Sequence, residues 1–113
     1  MKQSEVIRLV DTELDSIGDA SRRAALASCL VVPELHFRTW AYGPGSFECW
    51  TVARDASSST WLVYCQGGFR DLWGALPPNS GDLGMDANWF STLDDAFIAS
   101  LWDGPLPPGY EVL

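Results

Sequence analysis

The sequence predicts an α+β fold with two N-terminal helices, an antiparallel meander sheet of three to four strands, and a C-terminal helix packed on that sheet. Apolar residues recur at helical spacing near both ends of the chain, whereas its middle consists of aromatic and β-branched segments separated by turn residues. Because the connections between those segments are short, we expect neighbouring strands to be antiparallel. With 113 residues, of which 47% are apolar, the chain is expected to form one domain spanning residues 1–113.

The N-terminal region predicts two helices. The first spans residues 3–17, and its apolar stripe consists of Val6, Val10, Leu14 and Ile17. Gly18 terminates this helix, and Asp19 is a suitable N-cap for a second helix over roughly residues 20–31. We expect Pro33 to stop the second helix, because proline disfavours the helical conformation in the residue before it.

The middle of the chain predicts three strands, at residues 35–42, 46–54 and 60–66. Gly43-Pro44-Gly45 forms the turn after the first strand, and a polar loop at residues 55–59 follows the second. The third strand is almost purely apolar and aromatic. The pair Gly67-Gly68 ends it, because glycine can turn the backbone where other residues clash.

The turn centres predict which residues lie opposite each other across the strands. Centring the first turn on Pro44 pairs Arg38 with Trp50. Centring the second loop on Ser57 gives the pairs Arg54–Thr60, Trp50–Tyr64 and Cys49–Cys65. In a reducing cytoplasm we interpret Cys49 and Cys65 as two small buried hydrophobes rather than as a disulfide.

Side chains alternate along a strand, so this register divides the sheet residues between two faces. One face is small or apolar and suited to receiving helices; it carries Phe37, Thr39, Ala41, Phe47, Cys49, Thr51, Ala53, Trp61, Val63 and Cys65. The other is aromatic with a few charges; it carries His36, Arg38, Trp40, Tyr42, Glu48, Trp50, Val52, Leu62 and Tyr64. We predict that residues 69–113 cover part of the aromatic face, and that the two N-terminal helices cover the other. Any binding site would then lie at the rim of the aromatic face, where Trp, Tyr and Arg could act as interface anchors.

The last third of the chain predicts one more helix. Residues 82–86 form either a short edge strand or a turn. A helix capped by Ser91 or Thr92 follows and continues through roughly residue 102. Residues 103–113 end that helix and form an extended tail, because they are rich in glycine and proline.

The acidic residues are unevenly placed along the chain. The formal net charge is −8, and all seven basic residues lie within residues 1–70, whereas residues 71–113 carry seven acidic residues and no basic one. Such a region produces a negative field that repels nucleic acid and attracts cationic partners. Plain solubility is the alternative explanation.

We expect a cytoplasmic protein with no membrane segment, no metal and no cofactor. No apolar run approaches the ~20 residues that a membrane helix needs, and the N-terminus lacks an apolar signal core. Three cysteines without a Cys-x-x-Cys spacing and a single histidine do not make a zinc site.

The sequence contains no catalytic motif, so we do not expect an enzyme. His36 is the only histidine, and the predicted register places it on the face opposite to Cys49 and Cys65. Asp94 and Asp95 are adjacent and diverge on a helix, which makes them a poor acid–base pair.

The second half of the chain carries a series of short motifs, which are Tyr64-Cys65, Gly68-Phe69, Trp73-Gly74, Leu83-Gly84-Met85-Asp86, Trp89-Phe90, Leu93-Asp94-Asp95-Ala96-Phe97, Ser100, Trp102-Asp103-Gly104 and Pro108-Gly109-Tyr110-Glu111-Val112. In this order they resemble a group of small bacterial immunity proteins encoded beside polymorphic or contact-dependent toxins. The resemblance covers residues 50–112. A Gly-Phe-Gly-Pro run is usual in that group where this chain has Gly68-Phe69-Arg70-Asp71.

The resemblance implies a protein that binds and neutralises a cognate toxin domain, and the acidic second half favours a toxin with a basic surface, such as the substrate groove of a nuclease. The predicted contact residues are Asp71, Asp82, Asp86 and Trp89, with Arg38, Trp40 and Trp50 as candidates at the rim. The alternative prediction is a small-ligand-binding or regulatory module whose aromatic pocket is lined by Trp40, Trp50 and Tyr64.

Overall fold

The computed structural model of the protein describes residues 1–54, 60–78, 81–101, 107 and 110. Within these residues it contains three α-helices and a five-stranded antiparallel sheet, in the order two helices, sheet, helix. The predicted α+β fold class is therefore confirmed, with slightly more strands than expected. The predicted loop at residues 55–59 and most of the predicted tail lie outside the described residues.

The helices are α1 (Gln3–Asp15), α2 (Ala20–Ala27) and α3 (Leu93–Ser100). The Asp19 side chain caps α2 by accepting a hydrogen bond from the Arg22 backbone N–H at 3.0 Å. The Thr92 hydroxyl caps α3 in the same way and accepts from the Asp95 backbone N–H at 3.1 Å. Both predicted caps are confirmed. No helix in the described ranges is long and apolar enough to cross a membrane.

The sheet has its five strands in sequence order, so each strand pairs with the next one along the chain. The strands are β1 (Leu30–Trp40), β2 (Gly43–Arg54), β3 (Trp61–Cys65), β4 (Trp73–Leu76) and β5 (Trp89–Phe90). A 3₁₀ turn at Asp86–Asn88 precedes β5. All four pairings are antiparallel, as a meander requires.

The first strand begins five residues earlier than predicted, because α2 ends at Ala27 rather than near residue 31. Pro33 does not stop a helix; it lies inside β1. An edge strand accepts proline because the missing N–H faces away from the neighbouring strand. The β-branched pair Val31-Val32 also favours the extended conformation.

The predicted register between β1 and β2 is wrong by three residues. Arg38 lies opposite Phe47, and Trp50 lies opposite Leu35. The reason is that β2 already begins at Gly43, so the turn is centred ahead of Pro44. Because three is odd, the error exchanges the two faces for every side chain of β1.

The register between β2 and β3 is largely as predicted. Trp50 faces Tyr64, and Cys49 faces Cys65. The pairing of Arg54 with Thr60 is wrong, because a β-bulge between Thr51 and Ala53 shifts the end of β2 by one residue.

The three helices pack on the face of the sheet that carries Trp50 and Tyr64, which we call the helix-covered face. This agrees with the prediction for α3, which lies within residues 69–113, whereas the prediction that α1 and α2 cover the other face is wrong. The buried sheet residues of the helix-covered face are Trp50, Val52, Leu62, Tyr64, Trp73 and Ala75. They pack in one cluster with Val6 and Val10 of α1, Leu26 of α2, and Leu93, Ala96 and Phe97 of α3. Large aromatic rings fill the wide space between helices and sheet better than small residues do.

The other face is covered by irregular chain rather than by helices. We call it the segment-covered face; its buried residues are Cys49, Val63, Cys65, Leu76, Leu83 and Trp89, with Trp40, Phe47, Trp61 and Phe69 packed around them. Small sheet residues let the irregular segment approach closely. Gly74 gives the clearest case, because a Cβ atom there would lie 3.0 Å from the Trp89 ring.

Tyr110 packs against helices α2 and α3. Its ring packs edge-on against Phe97 at 5.2 Å, and the Arg22 guanidinium lies 4.6 Å from the ring centroid. The Tyr110 hydroxyl donates to the Asp94 carboxylate at 2.5 Å, and Arg22 donates to the other oxygen of that carboxylate at 2.7 Å. Burial and the bond to Asp94 raise the pKa of Tyr110 above its ordinary value. The cluster therefore ties α2, α3 and Tyr110 together.

We predict that Gly74→Ala lowers the free energy of unfolding by about 1–3 kcal/mol, because the added methyl group overpacks the contact with Trp89. Urea unfolding followed by tryptophan fluorescence measures this change. Gly18→Ala is the matched control, since a Cβ there meets no atom within 4 Å. Equal stability of the two variants would contradict the close approach of Trp89 to β4.

Candidate functional site

The irregular chain on the segment-covered face crosses the whole sheet, from one edge to the other. We call residues 81–90 the covering segment. It first runs along the free edge of β1, where the Thr39 N–H donates to the Gly81 carbonyl and the Leu83 N–H donates to the Thr39 carbonyl, both at 2.8 Å. It then returns to the far side of the sheet, where β5 pairs with β4. The segment is therefore held at both ends by backbone hydrogen bonds.

Side-chain hydrogen bonds fix the middle of the covering segment. The Trp89 indole N–H donates to the Leu83 carbonyl at 2.7 Å, and both residues are buried. The Asp82 carboxylate accepts from the Gly84 backbone N–H at 2.7 Å. Gly84 has a φ of +73°, a conformation that side chains with a Cβ rarely adopt. These contacts make the segment a defined layer over the sheet.

Arg38 is buried beneath this layer and holds it to β1. The side chain is 3% exposed, and its guanidinium donates to the Asp82 carbonyl at 3.3 Å. Burial lowers the pKa of Arg38, while the nearby Cys49 and Asp82 act to raise it. Arg38 and Asp82 thus stabilise the covering segment. Arg38 does not lie at an open rim, because it is almost fully buried.

A groove of about 540 Å³ lies beside the covering segment. We call it the acidic groove; it is lined by Phe69, Arg70, Asp71, Asp86, Trp89 and Ser91. Asp71 and Asp86 are fifteen positions apart in sequence, and the fold brings both residues into the lining of one groove together with the buried Trp89. The lining carries two carboxylates against one guanidinium, so it suits a cationic group.

An apolar groove of about 290 Å³ lies next to the acidic one. It is lined by Trp40, Pro44, Phe47, Gly67, Gly68, Phe69 and Leu83. Phe69 belongs to both grooves, and its ring packs against Trp40 at 6.1 Å and against Trp89 at 6.0 Å. Two large apolar side chains close in sequence to residues that line the grooves are exposed to solvent: Tyr42 is 70% exposed and Met85 is 54% exposed.

The structure divides the seven predicted contact residues into three groups. Asp71, Asp86 and Trp89 line the acidic groove, and Trp40 lines the apolar groove. Arg38 and Asp82 hold the covering segment in place. Trp50 is 7% exposed and packs in the core under the helices, and it also lines a separate groove of about 290 Å³ together with Glu48 and Tyr64.

Three residues that line the two grooves were not predicted from the sequence. Phe69 and Phe47 are the aromatic residues that line the apolar groove with Trp40, and Arg70 is the cation beside Asp71. The signal for Phe69 was its position directly after Gly67-Gly68, where a large apolar side chain follows a tight turn. Phe47 carried no such signal, because only the three-residue change in register places it beside Trp40 rather than away from it.

The predicted aromatic pocket of Trp40, Trp50 and Tyr64 is not formed. Trp50 and Tyr64 are largely buried in the helix-covered core and line one groove with Met1 and Glu48, whereas Trp40 lies on the other face of the sheet and cannot join them. The change of register that moves Trp40 is the physical reason.

The same change of register places His36 directly opposite Cys49, so the geometric argument that separated them is wrong. The imidazole contacts other groups: Glu34 at 3.5 Å and the Trp61 ring at 6.0 Å. Among the described residues, no group of three or more His, Cys, Asp or Glu side chains is placed to hold a metal ion.

We predict that Trp89→Phe lowers the free energy of unfolding by about 1–3 kcal/mol, because it leaves the buried Leu83 carbonyl without its donor. Chemical unfolding followed by far-ultraviolet circular dichroism measures the loss. Trp40→Phe is the control, since that ring is half-buried and packs edge-on against Tyr42 and Phe69. Equal losses in the two variants would show that the indole hydrogen bond does not hold the covering segment.

Comparison of the chain with protein-family models, with curated proteins and with solved structures found no match.

Proposed function

We propose that the protein is an immunity protein that binds a cognate bacterial toxin domain in the cytoplasm and neutralises it. The observation that carries the proposal is the convergence of Asp71 and Asp86 in one groove beside an apolar groove. The motif resemblance described above supports the same function, since most of its motifs lie in the chain that builds the two grooves and α3.

The two grooves offer the two kinds of contact that a protein interface uses. Interface energy is concentrated in a few aromatic and other large anchors within desolvated pockets. The apolar groove, walled by Trp40, Phe47 and Phe69, can receive such an anchor from the toxin. The acidic groove then lies beside it to receive a basic side chain.

The overall charge favours a toxin with a basic surface. The net charge of −8 attracts a cationic partner over a long range, and the acidic groove gives that attraction a defined end point. The substrate groove of a nuclease is a basic surface of this kind, and carboxylates placed in it would take the positions of phosphate groups. Electrostatic complementarity of this type raises the association rate more than the affinity.

A small-ligand-binding or regulatory module is the second candidate function. The apolar groove favours it, because a volume of about 290 Å³ is near the lower end of ligand pockets and its walls are mostly aromatic and aliphatic. The ligand would be a small apolar molecule in contact with Trp40, Phe69 and Leu83.

The function is tested with the purified protein encoded beside the gene of this chain. We expect a one-to-one complex by size-exclusion chromatography, and loss of the neighbouring protein's toxicity when both are expressed together. Absence of a complex at low ionic strength, together with undiminished toxicity, would refute the immunity function. Protection against thermal unfolding by a small apolar compound, without a protein partner, would favour the second candidate.

We predict that the double variant Asp71→Lys, Asp86→Lys slows association with the toxin by about tenfold at low salt, because it removes the attraction at the acidic groove. The difference should shrink as salt is added, since exposed charges are screened. Stopped-flow fluorescence at a series of salt concentrations measures the association rate.

The matched control is Asp11→Lys, Asp15→Lys, which changes the net charge equally at two exposed positions of α1, on the opposite face of the sheet. Asp82 is unsuitable for this test because its carboxylate holds the Gly84 N–H. Equal rates for the two double variants would show that net charge alone, and not the acidic groove, steers the encounter.

A further inference from the structure

Two cysteines lie directly opposite each other in the middle of the sheet. Cys49 of β2 faces Cys65 of β3. The Cys65 N–H donates to the Leu72 carbonyl at 3.0 Å, so its backbone points away from β2. The two residues therefore form a non-hydrogen-bonded antiparallel pair, for which the Cα atoms are about 4.5 Å apart. That separation lies within the range that a disulfide spans.

The surroundings of the pair favour a thiolate at Cys65. The Gly67-Gly68 turn, which carries no side chains, lies over the Cys65 sulfur, since a Cβ at Gly68 would be 3.3 Å from the Cys65 Sγ. A hydrogen bond with the Cys49 thiol, and bonds from the backbone N–H groups of Gly67 and Gly68, lower the pKa of Cys65, although burial and the charge of Glu48 act to raise it. The same interaction and burial raise the pKa of Cys49.

Arg38 adds a positive charge to the same layer. Its buried guanidinium interacts electrostatically with Cys49 and favours the ionised form of that thiol. The cation acts on Cys49, which is one of the two facing thiols, and a purely apolar pair would not require it. Thiolates near basic groups are the cysteines that react with oxidants.

We propose that Cys49 and Cys65 form a reversible oxidation site, at which a small hydroperoxide converts the two thiols into a cross-strand disulfide. Both thiols are buried, and the Gly67-Gly68 turn, which packs against the Cys65 sulfur, also lines the apolar groove; a peroxide would therefore reach the sulfur from that groove when the turn opens. The proposal does not depend on the toxin-binding function.

The reaction proceeds in two steps. The Cys65 thiolate attacks one peroxide oxygen, the O–O bond breaks, and Cys65 becomes a sulfenic acid while the other oxygen leaves as an alkoxide or hydroxide and takes up the thiol proton. The Cys49 sulfur then attacks the Cys65 sulfur, the S–O bond breaks, and the hydroxide leaves as water with the Cys49 proton. In total the two thiols lose two electrons and form one disulfide. An organic hydroperoxide is reduced to one alcohol and one water, and hydrogen peroxide is reduced to two waters.

The experiment uses the full chain carrying Cys29→Ser, which removes the third, partly exposed cysteine. The protein is treated with hydrogen peroxide, denatured in the presence of an alkylating reagent, and analysed by intact mass spectrometry. We expect untreated protein to take up two alkyl groups, and treated protein to take up none and to lose the mass of two hydrogen atoms. Dithiothreitol should restore both alkylation sites, and peptide mapping should find the 49–65 link.

Two control variants, each in the Cys29→Ser background, carry Cys49→Ser or Cys65→Ser. Neither should lose two hydrogen masses within one chain, because each retains a single thiol. The proposal is overturned if both thiols stay open to alkylation at a peroxide concentration that oxidises Cys29 in the unsubstituted chain. It is also overturned if the Cys29→Ser protein gains oxygen atoms, or forms linked dimers, without forming the internal bond.

Discussion

Both faces of the central sheet must be covered, and the hydrogen bond from the Trp89 indole to the Leu83 carbonyl allows an irregular segment to cover one of them. The central strands are apolar on both faces, so both faces must be covered. Three short helices cover one face, and an irregular segment covers the other. Irregular chain can be buried only where its polar groups have partners. The bonds at Thr39, Leu83 and Trp89 supply those partners, and the segment can therefore take the place of a helical layer.

The candidate site follows from this second layer. The covering segment leaves two depressions at its borders, and Phe69 stands between them. One depression is apolar because it exposes the aromatic edge of the layer, and the other is acidic because Asp71 and Asp86 flank the segment. A partner that binds there would touch residues that a scaffold of strands holds in place, which limits the entropy lost on binding.

Polar groups buried in the second layer have different roles from those on its surface. Arg38 is almost fully buried and connects β1 to the covering segment, so it stabilises the protein itself rather than contacting a partner. Its charge also acts on the thiol of Cys49. The cysteine pair and the charge beside it are the features from which we infer an oxidation site.

Local signals in the sequence determined the fold class, the helix caps at Asp19 and Thr92, and the pairing of Cys49 with Cys65, because each depends on neighbouring residues or on one short connection. Asp71, Asp86 and Trp89 could be chosen from charge and composition. The tertiary structure alone decided which face the helices cover and that Trp50 is buried. A turn centred ahead of Pro44 moved β1 by an odd number of residues and exchanged its faces, and turn residues do not specify such a shift when both faces are apolar.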